Sequence, residues 1–375
     1  MTDIGYVRSD LVDARPAPHR TSGAIAWMRK NLFANPVDSL LTVLGVLFLL
    51  WILPPLFGWT IFNAVGPNGT VEECRMENAG ACWAYISSEI EFFIYGFYDI
   101  PEQWRPNIVF ALGALLLTPL LIPKAPFKRT NAVLFLVAYP VISYFLLAGG
   151  VFGLRYIPTE KWGGLLVTLI ISVIGITLSF PIGVLLALGR QSNLPIIKTV
   201  CICFIELIRS VPLITILFMA SIMLPLFMPQ GTTVDKFLRA IVGVTLFTSA
   251  YMAEVVRGGL QAIPRGQYEA AAALGLGYWQ RMGFIILPQA LKHVIPGIVN
   301  SAIALFKDTS LVYIVGMKDL LEAVKTKNDT ALEWQSANTA TTGYLFAAMV
   351  FWVFCFGMSR YSIYMENRLN TGYKR

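Results

Sequence analysis

Eight stretches of apolar residues, each about as long as a membrane-spanning helix, recur along this chain of 375 residues. A helix needs about 20 consecutive apolar residues to cross the ~30 Å hydrocarbon core of a bilayer. The sequence therefore predicts an all-α, polytopic membrane protein with about eight transmembrane helices. The expected spans are residues 37–57, 106–122, 131–152, 163–188, 199–228, 237–256, 293–312 and 340–359.

The composition supports this fold class. Hydrophobic residues make up 56% of the chain, charged residues make up 14%, and the mean hydropathy is +0.63. These values fit a multi-span membrane protein better than a soluble domain. The formal net charge of +7 is scattered among the loops between spans and is not interleaved with aromatic residues on one face. We therefore interpret it as a topology signal and not as a nucleic-acid-binding surface.

The distribution of lysine and arginine predicts the orientation of the chain. If the N-terminus is cytoplasmic, 18 of the 29 basic residues fall in inside segments and 8 fall in outside segments. Because cytoplasmic loops are enriched in these residues, both tails, 1–36 and 360–375, are expected to be cytoplasmic. The first tail has no short apolar region ending in a cleavage site, so no cleavable signal peptide is expected. The segment 58–105 then becomes an external hairpin.

Two cysteines, Cys74 and Cys82, lie in the hairpin 58–105. In an oxidising periplasm they could form a small disulfide, and the alternative is a pair of free thiols in a loop. The sequence leaves both possibilities open. No metal-ligand spacing is present, so neither a metal nor a cofactor held by this chain is expected.

The stretch from Gly266 to Pro288 predicts two short helices that meet at a glycine corner. Residues 267–274 are mostly strong helix formers, and Gly275 is suited to end the first helix. An apolar stripe then favours a second short helix, closed by Pro288. The alanines of the first helix leave room for the close approach of another protein. Glu269, near the start of that helix, suits the helix dipole.

This stretch has the spacing E-A-A-x3-G-x9-I-x-L-P, beginning at Glu269. It resembles the cytoplasmic loop of bacterial ABC importer permeases, although an alanine-rich interfacial helix is the alternative interpretation. The flanking sequences 250–260, 261–267 and 307–311 resemble the polar and general amino-acid branch of that family, and the long form resembles its M-type subunit. The resemblance implies an ATPase-coupling loop with these residues: Gly266, Glu269, Ala270, Ala271, Gly275, Ile285, Leu287 and Pro288.

The resemblance implies the organisation of the whole chain. It extends from about residue 163 and is weak before that point. Residues 163–359 would form an ABC type I importer permease core with its docking loop at 257–292, and residues 37–162 would be an N-terminal extension of three spans. The family further implies a bacterial inner-membrane location, partner ABC ATPase subunits, a periplasmic amino-acid-binding protein and a second permease subunit. The extra spans favour a heterodimer.

ATP hydrolysis is expected in a partner, because this sequence lacks the G-x-x-x-x-G-K-[ST] phosphate loop. The H-E-x-x-H, C-x-x-C and G-x-S-x-G patterns are also absent, so the chain is not expected to be an enzyme. Two other classes stay open: a secondary transporter, and a scaffold or sensor subunit that uses the same docking loop without transport. ATP-dependent uptake would distinguish all three.

Four polar residues within the spans are candidates for the translocation path. Glu206 and Arg209 are three residues apart and precede Pro212, which is expected to free the Ile208 carbonyl. The two residues either contact substrate or form a structural ion pair that locks the helix to a neighbour. Asn300 follows a proline at mid-depth in span seven. Asp308, higher in the same span, is either a helix cap or part of an outer gate.

A second charged pair is expected at the inner end of span six. Glu254 and Arg257 repeat the three-residue spacing, which favours a local ion pair that anchors the docking loop.

Overall fold

A computed structural model of the chain describes residues 23–122, 125–229 and 234–369. The described chain is almost entirely helical and forms two compact units. The first comprises residues 23–64 and 78–81, and the second comprises the rest. Of the predicted tails, residues 1–22 and 370–375 lie outside the described residues.

The first unit consists of two helices, α1 (Ala24–Asn31) and α2 (Pro36–Phe57), and α2 continues into a π-helical turn, Gly58–Phe62. Asn35 begins α2, since its side-chain oxygen accepts the N–H of Asp38 at 2.8 Å. No residue of α2 is buried. A helix that is apolar on all sides is expected to face lipid, which agrees with the first predicted span.

The second unit begins with the helices of the predicted hairpin and of two further spans. The α5 helix and the segment from α6 to α7 are both long and apolar enough to cross a membrane. The helices are α3 (Val71–Cys74), α4 (Trp83–Tyr95), α5 (Trp104–Leu121), α6 (Lys128–Val133), a π-helical turn (Leu134–Ala138) and α7 (Tyr139–Ala148).

The centre of the second unit is formed by α8 (Gly164–Arg190), α12 (Lys236–Ala262) and α15 (Leu287–Asp308). Residues Gly183 of α8 and Met252 of α12 pack so closely that a Cβ atom added to the glycine would lie 2.7 Å from the Met252 Cβ. Small residues permit such an approach of two membrane helices. The α8 and α12 helices run in the same direction, and α15 returns between their two ends.

The fifth predicted span, 199–228, is not one continuous helix. It consists of α9 (Pro195–Ser210), α10 (Leu213–Phe218), a π-helical turn (Met219–Met223) and α11 (Leu224–Leu226), with a bend of 102° between Ser210 and Leu213. Pro212 lies in this break, and a proline cannot donate the backbone hydrogen bond that would continue the helix. The proline expected to free the Ile208 carbonyl thus lies at a break of the span, and the sequence does not predict a bend of this size.

The predicted second helix of the docking stretch does not end at Pro288. After α13 (Arg265–Ala273), the chain passes through α14 (Tyr278–Gln280) and a π-helical turn (Arg281–Ile286) directly into α15. The π-helical turn before Pro288 is wider than an α-helical one and accommodates the proline ring without ending the helix. The helix that carries the seventh span therefore begins at Tyr278, within the docking stretch and 15 residues before the predicted start of the span at residue 293.

The chain closes with a short polar region and one long helix. A two-residue strand, Lys318–Asp319, pairs in parallel with the residues that begin α8. The remaining elements are a 3-10 helix (Thr309–Val315), α16 (Leu320–Thr330) and α17 (Ala337–Leu369).

Seven helical segments of the described chain are long and apolar enough to span a membrane, and the bent segment from α9 to α11 makes an eighth if it is counted as one span. The predicted all-α polytopic fold is confirmed.

Three groups of buried apolar residues organise the second unit. The Trp162 cluster surrounds the start of α8 and α12 and the end of α15, and includes Trp162, Leu166, Val244, Leu305 and Val312. The Ile286 cluster lies at the other end of these helices and includes Leu188, Ile205, Val256, Leu260, Met282 and Ile286. The Tyr85 cluster joins α4 to α16 and α17 and includes Cys74, Cys82, Tyr85, Phe93 and Leu320.

Candidate functional site

The helix α13 of the predicted docking loop is attached to the ends of α12 and α15. Its Tyr268 hydroxyl donates to the Leu260 carbonyl at 3.2 Å, and the Gln289 amide of α15 donates to the Gln267 side chain at 3.1 Å. Ala271 is its only buried residue. The helix is therefore fixed along one side and leaves the other side open.

A glycine corner follows α13, as the sequence predicts. Gly275 has a φ of +73°, a left-handed conformation that side-chain-bearing residues rarely adopt. Its N–H donates to the Ala272 carbonyl at 2.9 Å and closes the helix. Gly277 begins the next helix, where its N–H donates to the Gln280 side chain at 3.2 Å.

The other predicted coupling residues lie mostly on the surface of the loop. Gly266, Glu269, Ala270 and Pro288 are exposed, and Ile285 and Leu287 are half-buried. Glu269 is the fifth residue of α13, because the helix begins at Arg265 and not at the predicted Gln267. The expected interaction of Glu269 with the helix dipole is thus wrong, since that interaction is confined to the first turn.

The open side of this loop carries large apolar side chains. Leu274 is 75% exposed, Trp279 is 68% exposed and Phe284 is 76% exposed. Each of these side chains exposes apolar surface to water. Burial of this surface against another protein would be favourable by about 25 cal/mol per Å². The loop therefore has the surface of a protein contact that this chain does not itself fill.

A group of charged side chains lies beside the docking loop, which we call the Glu254 cluster: Arg190, Glu206, Arg209, Glu254 and Arg257. The Glu254 carboxylate accepts from Arg190 at 2.7 Å and from two nitrogens of Arg257 at 2.7 and 2.9 Å. Arg190 also donates to Glu206 at 2.8 Å. Three helices, α8, α9 and α12, thus meet at one carboxylate.

The predicted local pair of Glu254 and Arg257 is confirmed by these bonds. Glu206 and Arg209, by contrast, each face another helix. Glu206 pairs with Arg190, and Arg209 lies 3.8 Å from Glu254. Although Glu206 falls within a predicted span, its side chain is 53% exposed. Sequence reasoning missed Arg190, whose position at the inner end of span four was the available signal.

Two other candidate path residues line one groove between α12 and α15. Asn300 and Asp308 border this groove of about 470 Å³ together with Tyr251. The Arg209 guanidinium lies 5.5 Å from the centre of the Tyr251 ring. Asp308 ends α15 but makes no capping hydrogen bond to the 3-10 helix after it. The groove therefore has a carboxylate in its wall and a guanidinium against its Tyr251 border.

The hairpin cysteines, whose state the sequence left open, are joined. Cys74 and Cys82 form a disulfide with their Cα atoms 5.5 Å apart, and both residues are buried in the Tyr85 cluster. Between them, the Arg75 side chain donates to the Glu333 carbonyl at 2.7 Å. The disulfide loop is thus attached to the segment before α17.

Comparison with known proteins identifies the family. Residues 179–371 match the family described as "Binding-protein-dependent transport system inner membrane component". The chain belongs to this family. The match includes the docking loop, the Glu254 cluster and the groove, and the resemblance seen in the sequence is confirmed.

Relatives of this permease family match over nearly the whole chain. The inner membrane amino-acid ABC transporter permease protein YhdY of Escherichia coli (strain K12) is 50% identical over 96% of both chains. The glutamate/glutamine/aspartate/asparagine transport system permease protein BztC of Rhodobacter capsulatus is 38% identical over 100% of both. A solved structure described as an amino acid ABC transporter with histidines is 29% identical, covers 55% of this chain and 92% of its own, and has a TM-score of 0.48.

Proposed function

We propose that this chain is the membrane-spanning permease subunit of an ABC importer that moves L-amino acids into the cytoplasm. The observation that carries the proposal is the docking loop, in which a helix fixed to α12 and α15 is followed by a glycine corner and exposed apolar side chains. Such a surface is suited to contact an ATPase subunit. The names of YhdY and BztC support amino acids as the substrate class.

The chemistry of the groove is compatible with a zwitterion. An amino acid carries an ammonium and a carboxylate, and a path for it needs groups of both charges. Asp308 lines the groove, and Arg209 lies against Tyr251 at its border. Asn300 adds an uncharged donor and acceptor to the lining of the groove. We propose that these three residues contact the amino acid during passage.

The proposed complex contains further subunits. A binding protein would deliver the amino acid on the periplasmic side, a pair of ATPase subunits would bind the docking loops, and a second permease subunit, in a heterodimer, would complete the path. We place the docking loop in the cytoplasm and the disulfide hairpin in the periplasm. The disulfide supports this orientation, because disulfides persist in oxidising compartments.

Uptake by the purified complex tests the function. The chain, co-purified with its ATPase and second permease subunit, is placed in proteoliposomes with the binding protein, and a panel of labelled amino acids is supplied. We expect uptake that requires ATP. Uptake driven by an ion gradient without ATP would instead make the chain a secondary transporter. Binding of the ATPase without uptake of any amino acid would favour a scaffold or sensor subunit.

Cysteine labelling tests the orientation. Thr70→Cys and Ala270→Cys, each made in a chain without its three unpaired cysteines, are treated with a membrane-impermeant thiol reagent. We expect labelling at position 70 from the periplasm and at position 270 only after the membrane is opened. Equal labelling of both from the periplasm would contradict the proposed topology.

A further inference from the structure

The Glu254 cluster lies between the docking-loop end of α12 and α9, a helix with one buried residue. The docking loop shares the Ile286 cluster with the end of α12, so that Val256, Leu260 and Met282 are buried together. Within α9, by contrast, only Ile205 is buried. The polar contacts of α9 with α8 and α12 therefore add to the packing of Ile205 in positioning this helix.

The polar contacts of α9 lead to Glu254, through Arg190 and through Arg209. The Glu254 side chain is 15% exposed, and the arginine side chains around it are 23% to 33% exposed. Charge pairs that are partly removed from water attract each other more strongly than exposed pairs, and removal of one partner leaves the others uncompensated. Arg190 of α8 and Arg257 of α12 make the closest contacts with the Glu254 carboxylate. Arg190 also binds Glu206 and so connects Glu254 to α9.

The bonds within the cluster are unequal. Arg190 and Arg257 lie 2.7 Å from Glu254, whereas Arg209 of α9 lies at 3.8 Å and its buried Nε has no hydrogen-bond partner among the described residues. The three arginines also exceed the two glutamates by one charge. Arg209 is thus the arginine of the cluster that lies farthest from Glu254.

The cluster is also continuous with the docking loop on one side and with the bend on the other. Arg257 donates to Gln261 at 2.8 Å, two residues before the turn that begins at Ile263. On the other side, Arg209 lies in the last turn of α9, directly before the 102° bend, and Glu206 lies one turn earlier. A displacement of the docking loop relative to the spans would therefore reach the bent span at this point.

We infer that Glu254 is a positioning residue that transmits movement of the docking loop to α9, and that Arg190 is the arm through which it acts. The inference rests on the proposed function. It requires that the cluster differ between the two states of the importer, because only differential contacts shift a conformational equilibrium. The transported molecule need not touch Glu254 at all.

The test measures how much amino acid enters per ATP hydrolysed by the complete complex in proteoliposomes. Glu254→Gln keeps the shape of the side chain but removes its charge. We expect this variant to lower uptake per ATP by about tenfold or more. Coupling between two sites of a protein typically changes the behaviour of one site by factors of this size. Glu254→Asp, which restores the carboxylate, should recover part of the loss.

A matched control and a second variant separate coupling from folding. Glu322→Gln removes another glutamate, which pairs with Lys325 at 3.6 Å on α16, and should leave uptake per ATP unchanged. Arg190→Gln should lower the ratio as Glu254→Gln does, and the double variant should be no worse than either single variant if the two residues act as a unit. If Glu254→Gln does not assemble, Arg190→Gln and Glu254→Asp carry the test.

The outcomes are distinct. A lower thermal stability of Glu254→Gln with an unchanged ratio of uptake to ATP would reduce Glu254 to a structural role and overturn the inference. Additive effects of Glu254→Gln and Arg190→Gln would overturn the role of Arg190. A wild-type complex that takes up no amino acid with ATP would instead overturn the proposed function.

Discussion

The two ends of the central helices are built differently. At the Trp162 cluster the chain buries its own polar groups: Arg105 is 1% exposed and Asp319 is fully buried. Arg105 is paired with Glu102 at 2.9 Å, and Asp319 accepts two backbone N–H groups that begin α16. Such groups are tolerated inside a protein because they are paired.

At the Ile286 cluster the same helices end in exposed surface. Leu274, Trp279 and Phe284 extend from the docking loop, and the charges of the Glu254 cluster remain partly accessible. The comparison shows that buried polar groups at one end are paired within the chain, whereas charges and apolar side chains of the docking loop stay accessible at the other. In a family of transport-system components, the second end is where a moving partner would bind.

The largest effect is expected from the glycine corner. Gly275→Val forces a β-branched side chain into a left-handed conformation, which costs about 1 to 3 kcal/mol and redirects the docking surface. We expect the ATPase to dissociate or uncouple, with a roughly hundredfold loss of uptake. Gly275→Asn is the control, because asparagine tolerates this conformation. Co-purification of the ATPase and amino-acid uptake measure the effect.

Full uptake with a bound ATPase in Gly275→Val would contradict the inference that the docking-loop end of the central helices binds the ATPase. There is open space around this position, so a steric clash within the chain cannot account for a loss. The spans should remain inserted and folded in both variants.

Features with local causes could be predicted from the sequence. The spans follow from apolar runs, the corner at Gly275 from helix formers before a glycine, and the Glu254–Arg257 pair from a spacing of three residues. Each depends on neighbours in the chain.

Features with distant causes could not be predicted. Arg190 meets Glu206 and Glu254 at separations of 16 and 64 residues, so no local spacing reveals the cluster. The direction of the chain after Pro212 and after Pro288 depends on packing against other helices, and a proline alone is compatible with a sharp bend or with a continuous helix. The burial of Asp319 likewise requires the start of α8 beside it.

The Trp162 end predicts a pH effect on stability. Burial raises the pKa of Asp319 to about 6. The folded state therefore binds more protons than the unfolded state between about pH 4 and 6, and the free energy of unfolding falls as the pH rises through this window, by roughly 2 to 3 kcal/mol. Asp319→Asn keeps an oxygen that can accept from Leu321 and Glu322 and removes the charge, so this part of the pH dependence should disappear.

Thermal unfolding in detergent at pH values from 4 to 7.5 measures this effect. Asp329→Asn changes an exposed aspartate of the same helix and should unfold with the wild-type pH profile. If Asp319→Asn has the same pH profile as the wild type, ionisation of the buried Asp319 carboxylate does not lower the free energy of unfolding.

An exposed tryptophan tests the docking end more directly. Trp279→Ala should weaken ATPase binding by about 1 to 2 kcal/mol, because tryptophans are frequent among the residues that dominate protein interfaces. The stability of the isolated chain should change by less than about 0.5 kcal/mol, since the side chain is largely exposed. Trp352→Ala, at a residue of α17 that is 61% exposed, should leave ATPase binding unchanged. Equal ATPase binding by all three proteins would remove Trp279 from the docking surface.

The smallest effect is expected from Glu269, and it distinguishes a docking role from a helical one. Since Glu269 is the fifth residue of α13 and exposed, Glu269→Lys should alter the stability of the isolated chain by less than about 0.5 kcal/mol. If the ATPase contacts this carboxylate, the variant should bind it more weakly at low salt, and the difference from wild type should shrink as salt screens the charges. Binding of the ATPase at several salt concentrations, with Glu269→Gln as the neutral control, measures this. A loss of stability without a change in binding would mean that Glu269 supports the helix and not the contact, and the docking end would then rest on its apolar side chains alone.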